Sequence, residues 1–488
     1  MNTSDIIIIG AGPGGYETAV YAAKQGMSVT IFEGEHLGGT CLNEGCIPTK
    51  CLCKNAALLE DLKEGERWGL NDLSYVFDLK KAMQRKAETV QTLTAGIEFL
   101  LKNKLITVIP EFASFKDDHT VVTPTGEEYT ASAIIIATGS ESKLLPIPGI
   151  DLPGVITSKE ILDITEVPEE LCIIGAGVIG LEFASIFQSF GSRVTVVEFA
   201  KEILPNFDTD ISKRLKQSLV KRGIQIINQA GVSAIEANDG RLTVRYRVKE
   251  TEQECCADTV LVAVGRAPYL ESLNLEQTGI QFSPKGIVTD EHFETSVAGV
   301  FAIGDVNGKC MLAHAATFQG KKVIHHLQGK TDGIRLDIIP SAVFTQPEAA
   351  AVGRTEEECK QQGIAYSCKK AFFRSNGKAI CMGEPDGLCK LIVDGDRKLI
   401  GCHLFGAHAA DLVQEIGTLI AAGVTIDRMK ETPRCRKYFK SAPTSFKTGS
   451  TARYSEAVGT GIRGYIENLN FDITPFLCVR RRLGKIYS

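Results

Sequence analysis

The residues whose chemistry stands out are Cys41, Cys46 and Lys50, which lie in one short stretch that is rich in glycine. Two thiols five positions apart can close a small disulfide loop, and the glycines give the backbone the freedom that such a loop needs. In the first turn of a helix, backbone N–H groups and a nearby lysine favour thiolate over thiol. A dithiol with a lowered pKa is a two-electron redox couple, so the stretch predicts redox chemistry.

A structural disulfide and half of a metal site are the alternatives for this cysteine pair. A disulfide that closes so few residues gains little chain entropy, and a zinc site needs a second ligand pair that the spacing does not provide. We therefore predict no metal. Adjacent Cys255 and Cys256 precede a predicted strand and are interpreted as incidental. Most of the 15 cysteines are scattered, and we interpret them as small buried hydrophobic residues, as at Cys51, Cys53, Cys172, Cys310 and Cys402.

Length and composition limit the class of protein. A chain of 488 residues predicts about three or four domains. The net charge of −5 argues against general nucleic-acid binding. We find neither a signal peptide nor an apolar run that could span a membrane. Together with the many cysteines, this predicts a reducing, cytoplasmic location.

A strand, a glycine loop, a helix and a second strand must position the cysteine stretch, and they occupy residues 5–33. Gly10 makes the tight turn, and Gly12 lets the backbone approach a pyrophosphate at the helix N-terminus. Gly15 allows the helix to pack closely on the strand, and Glu33 can bind ribose hydroxyls. The order of these elements predicts a dinucleotide-binding unit more firmly than the glycines alone would.

The same pattern returns at residues 171–198, with a loop of Gly175, Gly177 and Gly180 and an acid at Glu198. The interval from first glycine to acid is the same in both copies. Two such units predict two dinucleotides. The acid at the second site favours NAD over NADP, which would call for a basic residue. The alternative is a doubly wound fold that binds nothing.

The remaining sequence predicts the elements that surround these units. Residues 79–104 have helical spacing and predict a long helix packed behind the cysteine loop. Residues 105–136 predict a small antiparallel sheet, and residues 299–307 predict a short strand whose terminal Asp305 points into a ligand crevice. After Ile338 the pattern predicts an additional α+β domain. Its elements are predicted at 342–345, 355–362, 388–393, 400–404 and 409–422.

Together these stretches resemble the flavoprotein disulfide reductases of the class I pyridine nucleotide-disulfide oxidoreductase family. Within that family they look most like the dihydrolipoyl dehydrogenases, because the Thr-Cys-Leu-Asn and Gly-Cys-Ile-Pro segments around the two cysteines favour that branch over the glutathione and mercury branches. The similarity extends from residue 5 to about residue 430. The motifs that carry it are at residues 10–15, 39–50, 137–139, 175–182, 265–266, 304–305, 311–314 and 345–357.

The resemblance implies an α/β fold with two Rossmann-like dinucleotide-binding domains, one for FAD and one for NAD, and a C-terminal α+β dimerisation domain. The implied FAD-binding domain is split between residues 1–147 and 272–335. Residues 148–271 would form the NAD-binding domain. Residues 336–488 would form the dimerisation domain, although those after about 431 depart from the family pattern.

The resemblance also implies the cofactor-binding residues. For FAD they are Gly10, Gly12, Gly14, Gly15, Glu33, Gly39, Thr40, Lys50, Ala113, Thr138, Gly139, Asp305 and Ala313. For NAD they are Gly175, Gly177, Val178, Ile179, Gly180, Glu182, Glu198, Val232 and Gly265. Further cofactor-binding residues taken from the same motifs are Arg266, Met311 and Leu312.

By the same resemblance, Cys46 would lie against the flavin as the charge-transfer thiolate, and Cys41 would be the outer sulfur that attacks the substrate disulfide. Lys50 would pair with the flavin edge. The implied reaction converts dihydrolipoamide and NAD⁺ to lipoamide and NADH, with electrons passing through FAD. The implied partners are a second copy of the chain and a lipoyl-carrier protein in a 2-oxo acid dehydrogenase or glycine cleavage complex. No nucleic acid or membrane is expected.

The C-terminal segment departs from this family, which carries a His-Pro-Thr and glutamate motif that supplies the base for the substrate dithiol. Here no histidine follows His408, and Ala442 and Lys447 stand in place of the histidine and the glutamate. Two explanations are open: a frameshift near residue 431, favoured by the abrupt loss of pattern there and a basic ending, or a true variant. The alternative function is an NADH-dependent diaphorase or a non-catalytic flavoprotein subunit.

Overall fold

The computed structural model describes residues 2–433. The first elements are β1 (Asn2–Ile9), α1 (Pro13–Lys24), β2 (Val29–Phe32), α2 (Gly39–Asn43), α3 (Cys46–Lys63), α4 (Leu79–Leu101), β3 (Ile106–Ile109), β4 (Ser114–Phe115), β5 (Thr120–Val122), β6 (Glu128–Ile136) and β7 (Ser140–Ser142). β1 pairs in parallel with β2 and β6. The last four residues of β1 and all of β2 are buried, as expected for parallel strands that are covered on both faces.

The long helix predicted over residues 79–104 is confirmed as α4, which packs against α3 behind the cysteine stretch. The small antiparallel sheet predicted over residues 105–136 is wrong for β3. This strand pairs in parallel with β2, because α2 to α4 form a crossover that returns the chain to the same sheet in the same direction. Antiparallel pairing is limited to β4, β5 and β6.

The second group of elements contains β8 (Val155–Ile156), β9 (Glu170–Ile174), α5 (Val178–Phe190), β10 (Arg193–Val197), α6 (Thr209–Lys221), β11 (Gln225–Ile227), β12 (Ala230–Asn238), β13 (Arg241–Val248), β14 (Thr251–Ala257), β15 (Thr259–Val262) and β16 (Arg266–Pro268). A parallel sheet has the order β11-β10-β9-β15-β8, and β12, β13 and β14 form a separate antiparallel meander. Cys255 and Cys256 precede the strand β15, as predicted, but they themselves lie within a further strand, β14, which was not predicted.

The chain then returns to the first sheet through β17 (Phe282–Ser283), β18 (Gly286–Ile287), β19 (Val300–Ala302) and α7 (Ala313–Leu327). β19 pairs in parallel with β6. α7 packs closely against α1 at Gly320, where a Cβ atom would lie 1.7 Å from Thr18 Oγ1. Two separate segments of the sequence therefore build the first sheet and its covering helices.

The last described elements are β20 (Ser341–Val343), β21 (Ala349–Gly353), α8 (Glu356–Gln361), β22 (Tyr366–Phe372), α9 (Gly377–Cys381), β23 (Leu388–Asp394), β24 (Leu399–Phe405), α10 (Ala409–Ala421) and α11 (Ile426–Glu431). Their antiparallel sheet has the order β20-β21-β24-β23-β22. This confirms the prediction that the chain after Ile338 is of the α+β class. Ala442 and Lys447, the positions where the family motif departs, lie outside the described residues. Among the helices of residues 2–433, none is long and apolar enough to cross a membrane.

Candidate active site

A cavity of about 2130 Å³ lies where the glycine loops of both parallel sheets meet the cysteine stretch. It is lined by the ends of β1 and β9, by α2 and α3, and by the segment before α7. Every residue that we predicted for the site lines this cavity except Gly15 and Gly180. The structure thus brings together residues that are spread over more than half of the chain.

Gly15 and Gly180 pack against backbone instead. A Cβ atom would lie 1.9 Å from the Gly10 carbonyl oxygen at Gly15, and 2.1 Å from the Gly175 carbonyl oxygen at Gly180. At Gly177, by contrast, a Cβ atom would meet nothing within 4 Å. α1 and α5 both begin without a side-chain cap, so their first N–H groups remain available to an anion. The two loops therefore fit the pyrophosphates of two dinucleotides.

The acids at the ends of β2 and β10 occupy equivalent places in the two units. Glu33 accepts a hydrogen bond from the Ala11 backbone N–H at 2.8 Å, and Glu198 accepts one from the Ala176 N–H at 2.5 Å. Each carboxylate therefore ties the end of a strand to its glycine loop. Both also line the cavity, where a carboxylate can accept hydrogen bonds from a ribose.

The cysteine pair lies at the junction of two short helical turns. Cys41 is in α2, and Cys46 is the first residue of α3. The two thiols share a hydrogen bond, which is the main reason that the pKa of Cys46 is lowered to about 7 and that of Cys41 is raised. Burial opposes the change at Cys46, and the Lys50 ammonium lowers its pKa further. The pair therefore holds one sulfur that ionises near neutral pH.

Lys50 forms an ion pair with Glu182, with Nζ 3.0 Å from Oε2. Burial alone would lower the pKa of Lys50, but the Glu182 carboxylate raises it above its usual value. The Phe344 backbone N–H donates to Glu182 Oε1 at 2.9 Å, and the Phe344 ring centroid lies 4.5 Å from Lys50 Nζ. Three segments therefore hold the Lys50 ammonium beside the thiols: α3, which carries Lys50, α5, which carries Glu182, and the segment after β20, which carries Phe344.

Asp305 lines the cavity, as predicted, but it lies in the helical turn Gly304–Asn307, because the strand β19 already ends at Ala302. Ser140 Oγ donates to Asp305 Oδ2 at 2.5 Å, and Arg266 Nε donates to Ser140 Oγ at 2.7 Å. Burial raises the pKa of Asp305, although these polar neighbours oppose that change. Asp305 is therefore held in place by Ser140 of β7, and Ser140 is held in turn by Arg266 of β16.

Several cavity residues were missed by the sequence reasoning. Phe344 and Ser140 carry no motif of their own, and each contacts a residue far away in the sequence. Phe112 and Phe199 also line the cavity, and 83% of the Phe199 side chain is exposed. No sequence signal distinguished Phe199, because single exposed apolar residues are normal on protein surfaces.

No group of three or more His, Cys, Asp or Glu side chains within residues 2–433 is arranged to hold a metal ion. The cavity instead offers glycine loops, acids and thiols. Its chemistry therefore matches dinucleotides and a dithiol.

Comparison with known proteins agrees with this geometry. Residues 4–320 match the family described as Pyridine nucleotide-disulphide oxidoreductase, and residues 339–436 match the dimerisation domain of that family. The chain is 37% identical over 435 residues to dihydrolipoyl dehydrogenase of Geobacillus stearothermophilus, and the alignment covers 87% of this chain and 91% of that protein. It is 38% identical over 422 residues to mitochondrial dihydrolipoyl dehydrogenase of Pisum sativum, covering 84% of each.

Among solved structures, the HOCl-induced flavoprotein disulfide reductase RclA from Escherichia coli superposes with a TM-score of 0.78. The two sequences are 30% identical, and the match covers 88% of this chain and 96% of that chain. These findings confirm the resemblance, the fold class and the use of FAD and NAD that the sequence motifs predicted. The chain belongs to the pyridine nucleotide-disulphide oxidoreductase family and is an FAD-dependent oxidoreductase.

Proposed function

We propose that the chain is a dihydrolipoyl dehydrogenase, which oxidises dihydrolipoamide with NAD⁺ through the Cys41 and Cys46 thiols and FAD. The observation that carries this proposal is the hydrogen-bonded thiol pair, in which the pKa of Cys46 is about 7, at the wall of a cavity shared by two glycine loops. Curated relatives of that name at 37% and 38% identity support the choice of substrate.

The two cysteines have different roles in this proposal. A substrate thiolate attacks Cys41 Sγ of the oxidised pair, and Cys46 leaves as a thiolate. The second substrate thiol then displaces Cys41 from the mixed disulfide, which yields lipoamide and the reduced pair. The low pKa of Cys46 makes it the better leaving group, and Lys50 stabilises the charge that develops there. When bound, FAD supplies the hydride chemistry that links this pair to NAD⁺.

The predicted domain boundaries and binding residues belong to the same proposal. FAD would be held by the first unit, residues 1–147 and 272–335, and NAD by residues 148–271. The separate parallel sheets of these segments support that division. A homodimer is supported by the match to the dimerisation domain. A lipoyl-carrier protein, a 2-oxo acid dehydrogenase or glycine cleavage complex, and a cytoplasmic location complete the proposal.

The first test is steady-state reduction of NAD⁺ by dihydrolipoamide with the FAD-loaded protein. Because Ala442 and Lys447 replace the expected histidine and glutamate, we expect a rate about 10²–10⁴-fold below that of a relative with the complete motif. Cys41→Ser should abolish the remaining rate, because the attacked sulfur is gone. Cys256→Ser is the matched control and should leave the rate unchanged. A Cys41→Ser rate equal to that of the unmodified protein contradicts the proposal.

The same C-terminal departure supports a second candidate, an NADH-dependent diaphorase or a non-catalytic flavoprotein subunit. A diaphorase passes electrons from NADH to artificial acceptors and needs neither the substrate base nor Cys41. Retained NADH-dependent dye reduction with no lipoamide turnover in the unmodified protein would favour it. Resequencing the gene through the codons for residues 425–450 separates the two origins of the tail, because an unbroken reading frame there excludes a frameshift.

A further inference from the structure

A second pair of thiols lies in the unit that carries the second glycine loop. Cys172 is in β9 of the parallel sheet, and Cys255 is in β14 of the meander. Their sulfur atoms are 3.4 Å apart, although 83 residues separate them in the sequence. From the sequence, Cys172 was interpreted as a small buried hydrophobic residue and Cys255 as incidental. The proposed reaction uses neither.

The two sulfurs differ in their access to solvent. Cys172 is 1% exposed and belongs to the apolar cluster between the parallel sheet and the meander, whereas Cys255 is half-buried at the edge of that cluster. The neighbouring Cys256 is exposed and lies 3.9 Å from Thr243 Oγ1. A small oxidant can therefore reach Cys255, while Cys172 lies beside it within the buried cluster.

The hydrogen bond between the two thiols also polarises the pair. It lowers the pKa of Cys255 and raises that of Cys172. The accessible sulfur is therefore the more readily ionised one, and thiolates are the form that peroxides oxidise. A half-buried, ionisable thiol that solvent can reach, beside a fully buried partner, is the arrangement of an attacking and a resolving cysteine.

We propose that Cys172 and Cys255 form a second, reversible disulfide when the protein meets a peroxide. The Cys255 thiolate attacks one peroxide oxygen, the O–O bond breaks, and hydroxide leaves as Cys255 becomes a sulfenic acid. The Cys172 thiol then attacks the Cys255 sulfur, the S–O bond breaks, and water leaves as the S–S bond forms. Two electrons pass from the thiols to the peroxide, and a dithiol such as dithiothreitol reverses the change.

This disulfide would connect two layers of the second unit covalently. β9 leads directly into the loop at Gly175, and β12 of the meander carries Val232, which lines the cavity. Oxidation would therefore fix the meander to the sheet that supports the second glycine loop. The inference does not depend on the proposed substrate, because it concerns thiols outside the Cys41 and Cys46 site.

The test is thiol mapping of the full-length, FAD-loaded protein after treatment with hydrogen peroxide. Free thiols are alkylated, the protein is digested, and cross-linked peptides are identified by mass spectrometry before and after dithiothreitol. We expect a peptide pair that joins Cys172 to Cys255, lighter than the two free peptides by two hydrogen atoms, and its loss after reduction. Accumulation of sulfinic or sulfonic acid at Cys255, with Cys172 recovered as a free thiol, overturns the proposal.

Two variants make the result specific. Cys255→Ser should abolish the cross-linked pair, whereas Cys256→Ser, its exposed neighbour, should leave the yield of that pair unchanged. Cys255→Ala is a second variant for the case that serine disturbs packing, and retained flavin absorbance shows that each variant is folded. A cross-link from Cys172 to Cys256, or from Cys255 to Cys256, also overturns the assignment.

Discussion

At the scale of single residues, the ionisation of Cys46 depends on its two polar neighbours. The hydrogen bond with Cys41 is the largest influence on the lowered pKa, and Lys50 adds to it. We expect Cys41→Ala to raise the pKa of Cys46 from about 7 toward the usual 9.0, because alanine donates no hydrogen bond. Alkylation of Cys46 at neutral pH should then slow about tenfold or more, since each unit of pKa changes the thiolate fraction about tenfold.

The measurement is the rate of iodoacetamide labelling on the Cys46 peptide across a pH series, with the protein first reduced. Cys41→Ser is the matched control, because its hydroxyl still donates a hydrogen bond to the thiolate. It should shift the labelling profile less than Cys41→Ala does. Identical profiles for the alanine variant and the unmodified protein would show that Cys41 does not govern the ionisation of Cys46.

Local spacing was enough to predict Cys41, Cys46 and Lys50, because all three lie within one turn–helix stretch. The ion pair of Lys50 with Glu182 was not predicted, since 132 residues separate the partners. Glu182 was placed at the site only through its motif. The Phe344 contact, which fixes both groups, required the segment after β20 to return to the cavity, and no periodicity in the sequence reports that return.

At the scale of secondary-structure elements, the second glycine loop combines a packing position and an open position. A Cβ atom at Gly180 would lie 2.1 Å from the Gly175 carbonyl oxygen, so Gly180→Ala must push α5 away from its turn. We expect this variant to lose about 1–3 kcal/mol of stability, as overpacked cores do. Its urea unfolding midpoint, followed by circular dichroism, should fall accordingly.

Gly177→Ala is the matched control within the same loop. Nothing lies within 4 Å of its Cβ position, and its φ of −77° suits alanine. We therefore expect an unchanged unfolding midpoint but weaker NADH binding, with a dissociation constant raised about tenfold, or about 1.4 kcal/mol. Fluorescence titration with NADH measures this. Equal NADH affinity in Gly177→Ala and the unmodified protein would place the pyrophosphate elsewhere.

The antiparallel meander is the element that sequence patterns missed. Its outer face carries cross-strand ion pairs, with Arg245 3.0 Å from Glu254 and Arg247 2.9 Å from Glu252. The sequence analysis assigned no strands to this stretch, although a charged outer face that alternates with an apolar inner face is typical of antiparallel strands. The buried alternation on the inner face, which includes Leu242 and Val244, was the signal that could have identified it.

At the scale of the whole molecule, the return of the chain to its first sheet was predicted only from the resemblance to a family. Asp305 at the end of a short strand predicted a crevice, but no local pattern shows that β19 pairs with β6 rather than with a strand of the second sheet. Three apolar residues fit either neighbour equally well. Pairing partners of such short buried strands are set by tertiary packing, which the sequence reports only through relatives.

The third sheet is joined to the second unit by a buried lysine. Lys390 on β23 is 1% exposed and forms ion pairs with Asp208 and Asp210 at the start of α6, as well as with Glu356 of α8. Removing its charge leaves the fully buried Asp208 without this cation. We therefore expect Lys390→Met to lose about 3–5 kcal/mol of stability at neutral pH, measured as a lower midpoint of urea unfolding.

The same network predicts how that loss depends on pH. Burial alone would raise the pKa values of Glu356 and Asp210, but polar contacts lower them below 4.5 and 3.8 in the folded protein. Lys390 is the main cause at Glu356, and Lys370 followed by Lys390 are the causes at Asp210. Just below these values the unfolded chain binds more protons than the folded protein, so this stability is present above pH 4.5 and is lost as the pH falls through the lowered pKa values. The gap between Lys390→Met and the unmodified protein should therefore narrow below pH 4.5. Lys370→Met, which removes an exposed partner of Asp210, is the control and should lower the stability by less than about 1 kcal/mol. A stability difference between Lys390→Met and the unmodified protein that stays constant down to pH 3 would contradict the linkage.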